Sequence, residues 1–444
     1  MGRIHTWRKS NDSEWHRRQH FDPFLTAALF GSAALAQTSQ PEQGIGFKEF
    51  IQATIEGNIG LVSQKYNVEI ADAAISVAAL APDPTFTIGY SSYELSRFIL
   101  PHSVVAAVNY TLENSDKRKA RVRVAEADKA LAAAQVNEYM KTLRFDAANA
   151  YIEAVKTRSI VARRKYTLDI FERLGQTNSQ PPLKVEERAQ LRLELARLRG
   201  DFHQSASDLE ISNRNLNFYL GESSLNKQGV YANASLEVPA VQFVEADLQG
   251  LAAEYRPDIA SAKSAMQSAQ SKSELAQKNR SLDYGFALGV THTQPMWSIP
   301  DAGGSYFPGS YPMSNALIAT VTVPIPFSLL QDGDLRGPAA TAVQAEMRLK
   351  ELQSKARIEV GQAAMKYNLS LKQVSAYREG TADADVLMED TLKKFAGQEN
   401  GFPDIVYYIR TANEIHFAYL EALASSAKAL ISVYQVSGQW EFNF

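Results

Sequence analysis

Cysteine is missing from all 444 residues. The chain therefore has no thiol for a disulfide, a thiolate metal site, a cysteine nucleophile or an N-terminal lipid anchor. An excess of positive charge is missing too. With 46 Lys and Arg against 49 Asp and Glu, nucleic-acid binding through a basic surface is not expected. Past residue 36 the four histidines, His102, His203, His292 and His416, are scattered, and no two have metal-ligand spacing such as His-x-x-x-His, so no built-in metal site is expected. Gly303-Gly304-Ser305 lacks the second glycine of a nucleophile elbow, and Asp332-Gly333-Asp334 fits a turn better than a calcium loop. Nothing assembles a catalytic or cofactor site, and no enzyme is expected. Long apolar runs are lacking as well: past residue 36 nothing approaches the roughly eighteen uninterrupted apolar residues of a membrane helix. A chain of this kind that enters a membrane crosses it as a closed barrel.

What is present begins with an export signal. Arg3, Arg8, Lys9, Arg17 and Arg18 precede the apolar run Phe24 to Leu35, which closes with Ala34-Leu35-Ala36 before Gln37. That order predicts a signal peptide over residues 1–36.

The remainder reads as a tandem repeat. With Asn58 laid on Arg256, Asn58-Ile59-Gly60-Leu61 meets Arg256-Pro257-Asp258-Ile259, and each stretch opens an alanine-rich helix that reaches strands some twenty-five residues later. Arg144 to Ala150 resembles Arg357 to Ala363, and the halves end alike at Tyr219-Leu220-Gly221 and Val436-Ser437-Gly438. The expected division is a first repeat over 37–221, an equatorial linker over 222–250, a second repeat over 251–438 and a tail over 439–444. Each repeat reads helix, strand, strand, long helix, turn, helix.

Strands are expected at 84–95, 103–112, 283–293 and 316–325, each with one apolar and one small or polar face. Phe86, Ile88 and Tyr90 alternate with Thr85, Thr87 and Gly89; Tyr284, Phe286, Leu288 and Val290 alternate with Gly285, Ala287 and Gly289. The pattern fits a soluble sandwich, or a barrel with lipid outside and water inside. Trp297, Tyr306, Phe307 and Tyr311 in the loop between the last two strands suit a membrane-interface girdle. Pro324 and Pro326 end the fourth strand, and the residues around Gly337 are expected to turn the chain into a helix.

The helices are too long for a compact domain: 119–175 and 337–395 extend ~85 and ~90 Å at 1.5 Å per residue. Helix 183–220 paired end to end with 252–282, and 403–437 with 47–81, gives two broken helices of similar reach. Four strands are too few for a barrel and their open edges cannot stand in lipid, so other copies must close it. Three copies give twelve strands continued by twelve helices around one axis.

This architecture resembles the TolC-like outer-membrane factor family, including its heavy-metal efflux branch, over essentially the whole exported chain. The resemblance rests on the doubled element order, Val323-Pro324-Ile325-Pro326-Phe327, Ala120 to Ala127, and Phe395-Ala396-Gly397 followed by Asp404-Ile405-Val406. It implies a homotrimeric outer-membrane channel of a Gram-negative cell with a periplasmic helical barrel. The implied partners are a periplasmic adaptor and an inner-membrane pump, proton-driven in an efflux system. A duct for type I protein secretion, and an elongated periplasmic coiled-coil interaction protein, remain the alternatives. The helix turns near Gly175 with Pro182 and near Gly397 with Pro403 are expected to form the periplasmic tip, where the family closes its duct and docks its adaptor. Both glycines are expected in left-handed caps. Asp404 matches the family's acidic position after the turn, and reads equally as a first-turn acid favoured by the helix dipole. Asp390 and Asp385 face either the lumen or solvent.

Overall fold

The computed structural model of the protein describes residues 43–92, 102–114, 116–176, 183–221, 229–294, 314–325, 331–397 and 399–439. Two helices run the length of the helical part: α3 (Lys117–Leu174) with 58 residues and α7 (Gly333–Ala396) with 64. Their neighbours change along the way. In one half the order is α2 (Ile59–Ala78), α3, α6 (Pro257–Asn279), α7. In the other half it is α4 (Val185–Leu220), α3, α8 (Phe402–Ser437), α7.

The segments 47–81 and 252–282 are not single helices, as the sequence suggested. A short α1 (Phe47–Gly57) precedes α2, and α5 (Glu245–Tyr255) precedes α6, each pair parting at one extended residue. Those residues are Asn58 and Arg256. Asn58 ends α1 and caps α2, its Oδ1 accepting the Leu61 N–H at 3.0 Å. Arg256 stands before Pro257, whose ring clashes with a helical conformation of the preceding residue. Arg256 ties the break down through Asp258 and Glu359, both at 2.7 Å.

The returning helices end on these breaks. At Gly221, φ is +57°, and an added Cβ would collide with the Gly57 carbonyl. At Gly438, φ is +75°, and a Cβ would lie 2.6 Å from the Tyr255 carbonyl carbon. Thus α4 abuts the start of α2, and α8 the start of α6. The end-to-end pairing inferred from lengths alone is the reverse of this. The reason is local: each helix stops where a glycine backbone fits against a helix break.

Around the joints lies the main core, with Phe50, Tyr151, Leu216, Leu220 and Ile431 buried together. A two-stranded parallel pair, β1 (Gln43–Ile45) and β4 (Val230–Ala232), closes it. The Tyr151 hydroxyl donates to the Ile45 carbonyl at 2.8 Å, and that of Tyr367 to the Pro239 carbonyl at 2.6 Å.

Four longer strands form the second sheet: β2 (Thr85–Ser92), β3 (His102–Leu112), β5 (Tyr284–Gln294) and β6 (Ser314–Thr322). Their order is β2-β3-β5-β6, antiparallel throughout, so β2 and β6 are open edges. All four helices that join it leave from one end, where Leu112 pairs with Tyr284 and Gly285 with Thr322. Pro324 lies just beyond β6, and Pro326 falls outside the described residues. Gly337 is not at the bend. It sits inside α7, which already begins at Gly333, because the Arg336 N–H bonds the Asp332 carbonyl at 2.9 Å and Arg280 grips Asp334.

The joint gives a direct test. Gly221→Ala is expected to cost about 2 kcal/mol or more, from backbone strain plus the collision with Gly57. Gly250→Ala, in α5 with open space around it, is expected to be neutral or stabilising by up to about 1 kcal/mol. Thermal melts of helical ellipticity compare them, and equal midpoints for the two variants would refute the joint.

Candidate functional site

Two regions stand out: the faces of the four-stranded sheet and the ends of the two helical hairpins. In the sheet, register turns alternation into continuous rows. Phe86, Val108 and Leu288 stand side by side, as do Ile88, Ala106, Val290 and Leu317. The large residues of these rows are exposed: Ile88 is 68 % accessible and Leu317 74 %. The opposite face is built mainly from small and polar residues, Thr85, Thr87, Asn109, Ala287, Gly289, Thr291 and Thr320, with Val105 and Ile318 among them. There the Asn109 amide donates to the Thr85 carbonyl at 3.2 Å and to the Thr87 hydroxyl at 2.8 Å. No helix among the described residues is long and apolar enough to cross a membrane.

At the other extreme, the α3–α4 and α7–α8 hairpins pack their ends together. Leu168, Phe171, Leu183 and Leu191 meet Met388, Phe395, Phe402 and Ile405 in one buried cluster. Phe171 and Phe402 touch edge to face with ring centres 6.3 Å apart. Neither Gly175 nor Gly397 adopts the left-handed cap expected of it: their φ values are −85° and −78°. Each helix instead ends in a tightened right-handed turn, in which the Gly175 N–H reaches the Glu172 carbonyl at 3.1 Å. At Gly175 the space explains the residue, since a Cβ would sit 3.3 Å from Leu191. Pro182 lies outside the described residues. Pro403 is the second residue of α8, and the Asp404 carboxylate accepts the Gly401 N–H at 3.0 Å, tying down the start of that helix. Asp390 pairs with Lys394 at 2.7 Å along one exposed helix face.

Two polar clusters near this end went unread in the sequence. Glu194 of α4 is buried and pairs with Arg197 at 2.7 Å and with Arg410 of α8. Burial pushes its carboxyl up, but the two guanidinium groups pull harder and hold it below the usual range. Arg163 of α3 donates to Asn413 at 2.9 Å and faces Asp385 at 3.5 Å, while His416 approaches the same carboxylate at 2.7 Å. Burial and the Arg163 charge keep the His416 ring below its ordinary pKa despite Asp385. The i,i+3 spacing of Glu194 and Arg197 was a local signal, whereas Arg410 lies 216 positions away. Among the described residues, no three His, Asp or Glu side chains gather as a metal site.

Solved structures share this architecture. The Campylobacter jejuni CmeC outer membrane channel matches with a TM-score of 0.71, at 12% identity, over 88% of this chain and 85% of its own. The open state of the Neisseria gonorrhoeae MtrE outer membrane channel gives 0.68 at 15% identity, covering 88% and 89%. CusC, described for its transmembrane channel formation, gives 0.65 at 15% identity, covering 90% and 96%. No protein-family model and no curated protein matches the sequence. At these identities the likeness is one of fold.

The Glu194 cluster is testable by pH. A depressed carboxyl pKa contributes stability that is present above the ordinary carboxylate pKa and is lost as pH falls through the folded one. Glu194→Gln is expected to cost about 1–2 kcal/mol at pH 7, between an exposed and a buried pair because both arginines are half exposed. In urea titrations the gap to the parent should close as pH drops below about 4. A penalty unchanged down to pH 3 would contradict the ion-pair account.

Proposed function

We propose that this chain, which has the TolC-like outer-membrane factor fold, is the exit duct of a tripartite efflux system in the outer membrane. One observation carries the reading. The four-stranded sheet has an exposed apolar face, a small and polar face, and two unpaired edges, and the helical layer below it has open edges on the same two sides.

In a single copy this arrangement is unsatisfied everywhere. The edges β2 and β6 leave backbone groups unpaired, each costing several kcal/mol in lipid. Below them the edge helices expose apolar side chains at helical spacing: Ile59, Tyr66, Ile70 and Val77 on α2, and Met347, Ile358, Met365 and Leu369 on α7. Pairing β6 of one copy with β2 of the next, and α7 with α2 and α4, satisfies both problems at once. Three copies make twelve strands, enough for an open interior. The eleven residues of β3, tilted about 40° with a rise of about 3.3 Å each, span roughly 28 Å, close to the height of a barrel's apolar band.

The phenylalanine, isoleucine, valine and leucine rows then face lipid, and the Thr, Asn and Gly face lines water. Residues 1–36 direct export, the helices stand in the periplasm, and conduction is passive. The hairpin ends around Gly175, Pro182, Asp390, Gly397, Pro403 and Asp404 close the duct and receive a periplasmic adaptor, with an inner-membrane pump, proton-driven, behind it. The sheet's lipid-facing side chains favour this over a soluble periplasmic rod, whose strands would bury them.

The protein extracted from outer membranes is expected to run as a trimer in unheated detergent gels, to fall to single chains on boiling, and to conduct ions across planar bilayers. A monomer without conductance would overturn the proposal. Cross-linking in cells is expected to recover an adaptor and a proton-driven pump; recovery of an ATP-driven exporter would reassign the duct to protein secretion.

A further inference from the structure

Where the strands give way to helices, the sequence Asp116-Lys117-Arg118-Lys119-Ala120-Arg121-Val122-Arg123 opens α3. Two of these cations are used inside the fold. Lys117 pairs with Asp283 at 2.8 Å, and Arg121 pairs with Glu113. Strand alternation carries Glu113 and Asp283 to the side of Thr111 and Gly285, opposite Leu112 and Phe286. Lys117 and Arg121 therefore mark the lumen side of α3. Lys119 and Arg123 stand two residues from Arg121, about 160–200° round the helix, and so lie on the side of the apolar rows, with Arg118 at about 100° from Lys117 between the two sides.

There a groove of about 590 Å³ opens between the end of α2, the start of α3 and the end of α6. Arg118, Lys119, Arg123 and Lys278 line it, with Asp116 and Glu274 the only carboxylates among the lining residues described. Asp116 pairs with Lys119, which is 79 % exposed, and Glu274 with Arg123 at 2.7 Å. Neither Arg118 nor Lys278 has an ion pair among the described residues. The groove thus keeps two cations in excess. Its height is informative: Lys117 to Arg123 cover roughly 10 Å of helix, starting five residues past Leu112, whereas each headgroup layer of a bilayer is roughly 5–8 Å deep.

We propose that this groove binds the anionic phosphodiester headgroup of a phospholipid in the leaflet facing the helices, one per chain. The inference rests on the barrel reading, since the apolar rows just above fix the groove at the bilayer surface. The acyl chains would lie along Tyr110, Leu112 and Phe286, and the phosphate would sit between Arg118 and Lys278, in a groove whose lining cations outnumber its carboxylates. Such a site anchors the barrel at a fixed depth, which matters for a duct loaded from its far end.

The test is native mass spectrometry of the detergent-purified protein with phosphatidylglycerol or phosphatidylethanolamine added, alongside gel migration and bilayer conductance of the same preparations. Phosphatidylglycerol is expected to be retained in preference, one per chain. Arg118→Gln with Lys278→Gln is expected to weaken retention roughly 30-fold, at about a factor of five for each cation near an anionic surface, with the melting curve unchanged. Equal retention of both lipids, no loss in the double variant, or equally tight binding of soluble glycerol 3-phosphate would overturn the lipid site. A protein that conducts without preferring the anionic lipid loses only this site. One that retains the lipid without forming a trimer or conducting loses the duct and keeps the groove.

Discussion

Everything in the helical part depends on two places where backbone meets backbone without a side chain between. The α4 helix stops against the α1–α2 break at Gly221, and α8 stops against the α5–α6 break at Gly438. These contacts convert six helices of unequal length into four walls of equal reach, because each short helix continues another. The surrounding clusters hold the joints in register with the continuous helices, through Tyr151 on α3 and Tyr367 on α7. A layer one helix thick has no deeper core to correct an error at a joint. The fit must therefore be made by the backbone itself, and only glycine permits both the positive φ and the approach.

The same ordering passes from helices to strands. Each strand of the β2-β3-β5-β6 sheet joins a helix of the α2, α3, α6, α7 layer in matching sequence. The chain is thus a strip with one edge formed by β2, α2 and α4 and the other by β6 and α7. A strip with two sticky edges and a right-handed strand twist has a preferred way to curl. Copies that satisfy the edges satisfy them along the whole length, in hydrogen bonds at one end and apolar contact elsewhere.

Much of this was legible in the sequence, for a physical reason. Strands with one apolar and one small or polar face must alternate, so Phe86 to Tyr90 and Tyr284 to Val290 announced themselves. Helices without compact packing must be long and weakly amphipathic, so α3 and α7 did too. The helix breaks were half visible: Pro257 restrains Arg256, and aligning Asn58 with Arg256 laid one break on the other without revealing either. Which helix continues which was not visible, since it depends on where Gly221 and Gly438 arrive in space. The left-handed caps assigned to Gly175 and Gly397 failed because both helices close in right-handed turns; at Gly175 the glycine makes room for Leu191, whereas around Gly397 a Cβ would meet only ordinary contacts. Arg410, Asn413 and His416 were unreadable because their partners lie on other helices, more than two hundred positions away for Arg410 and Asn413 and 31 for His416.

Between the two hairpins, charge shares the holding with hydrocarbon, and this limits how they come apart. Phe171 against Phe402 is a buried contact whose loss exposes apolar area at about 25 cal/mol per Å². The Glu194 and Arg163 clusters are different, because Arg197 and Arg410 are half exposed and water can take up their donors as they leave. Burial and the Arg163 charge hold the His416 pKa below its ordinary value, so a second cation beside Arg163 is disfavoured there. Small displacement of α3 and α4 against α7 and α8 therefore exchanges polar partners while the aromatic contact persists. Bending either hairpin would break its own backbone ladder instead.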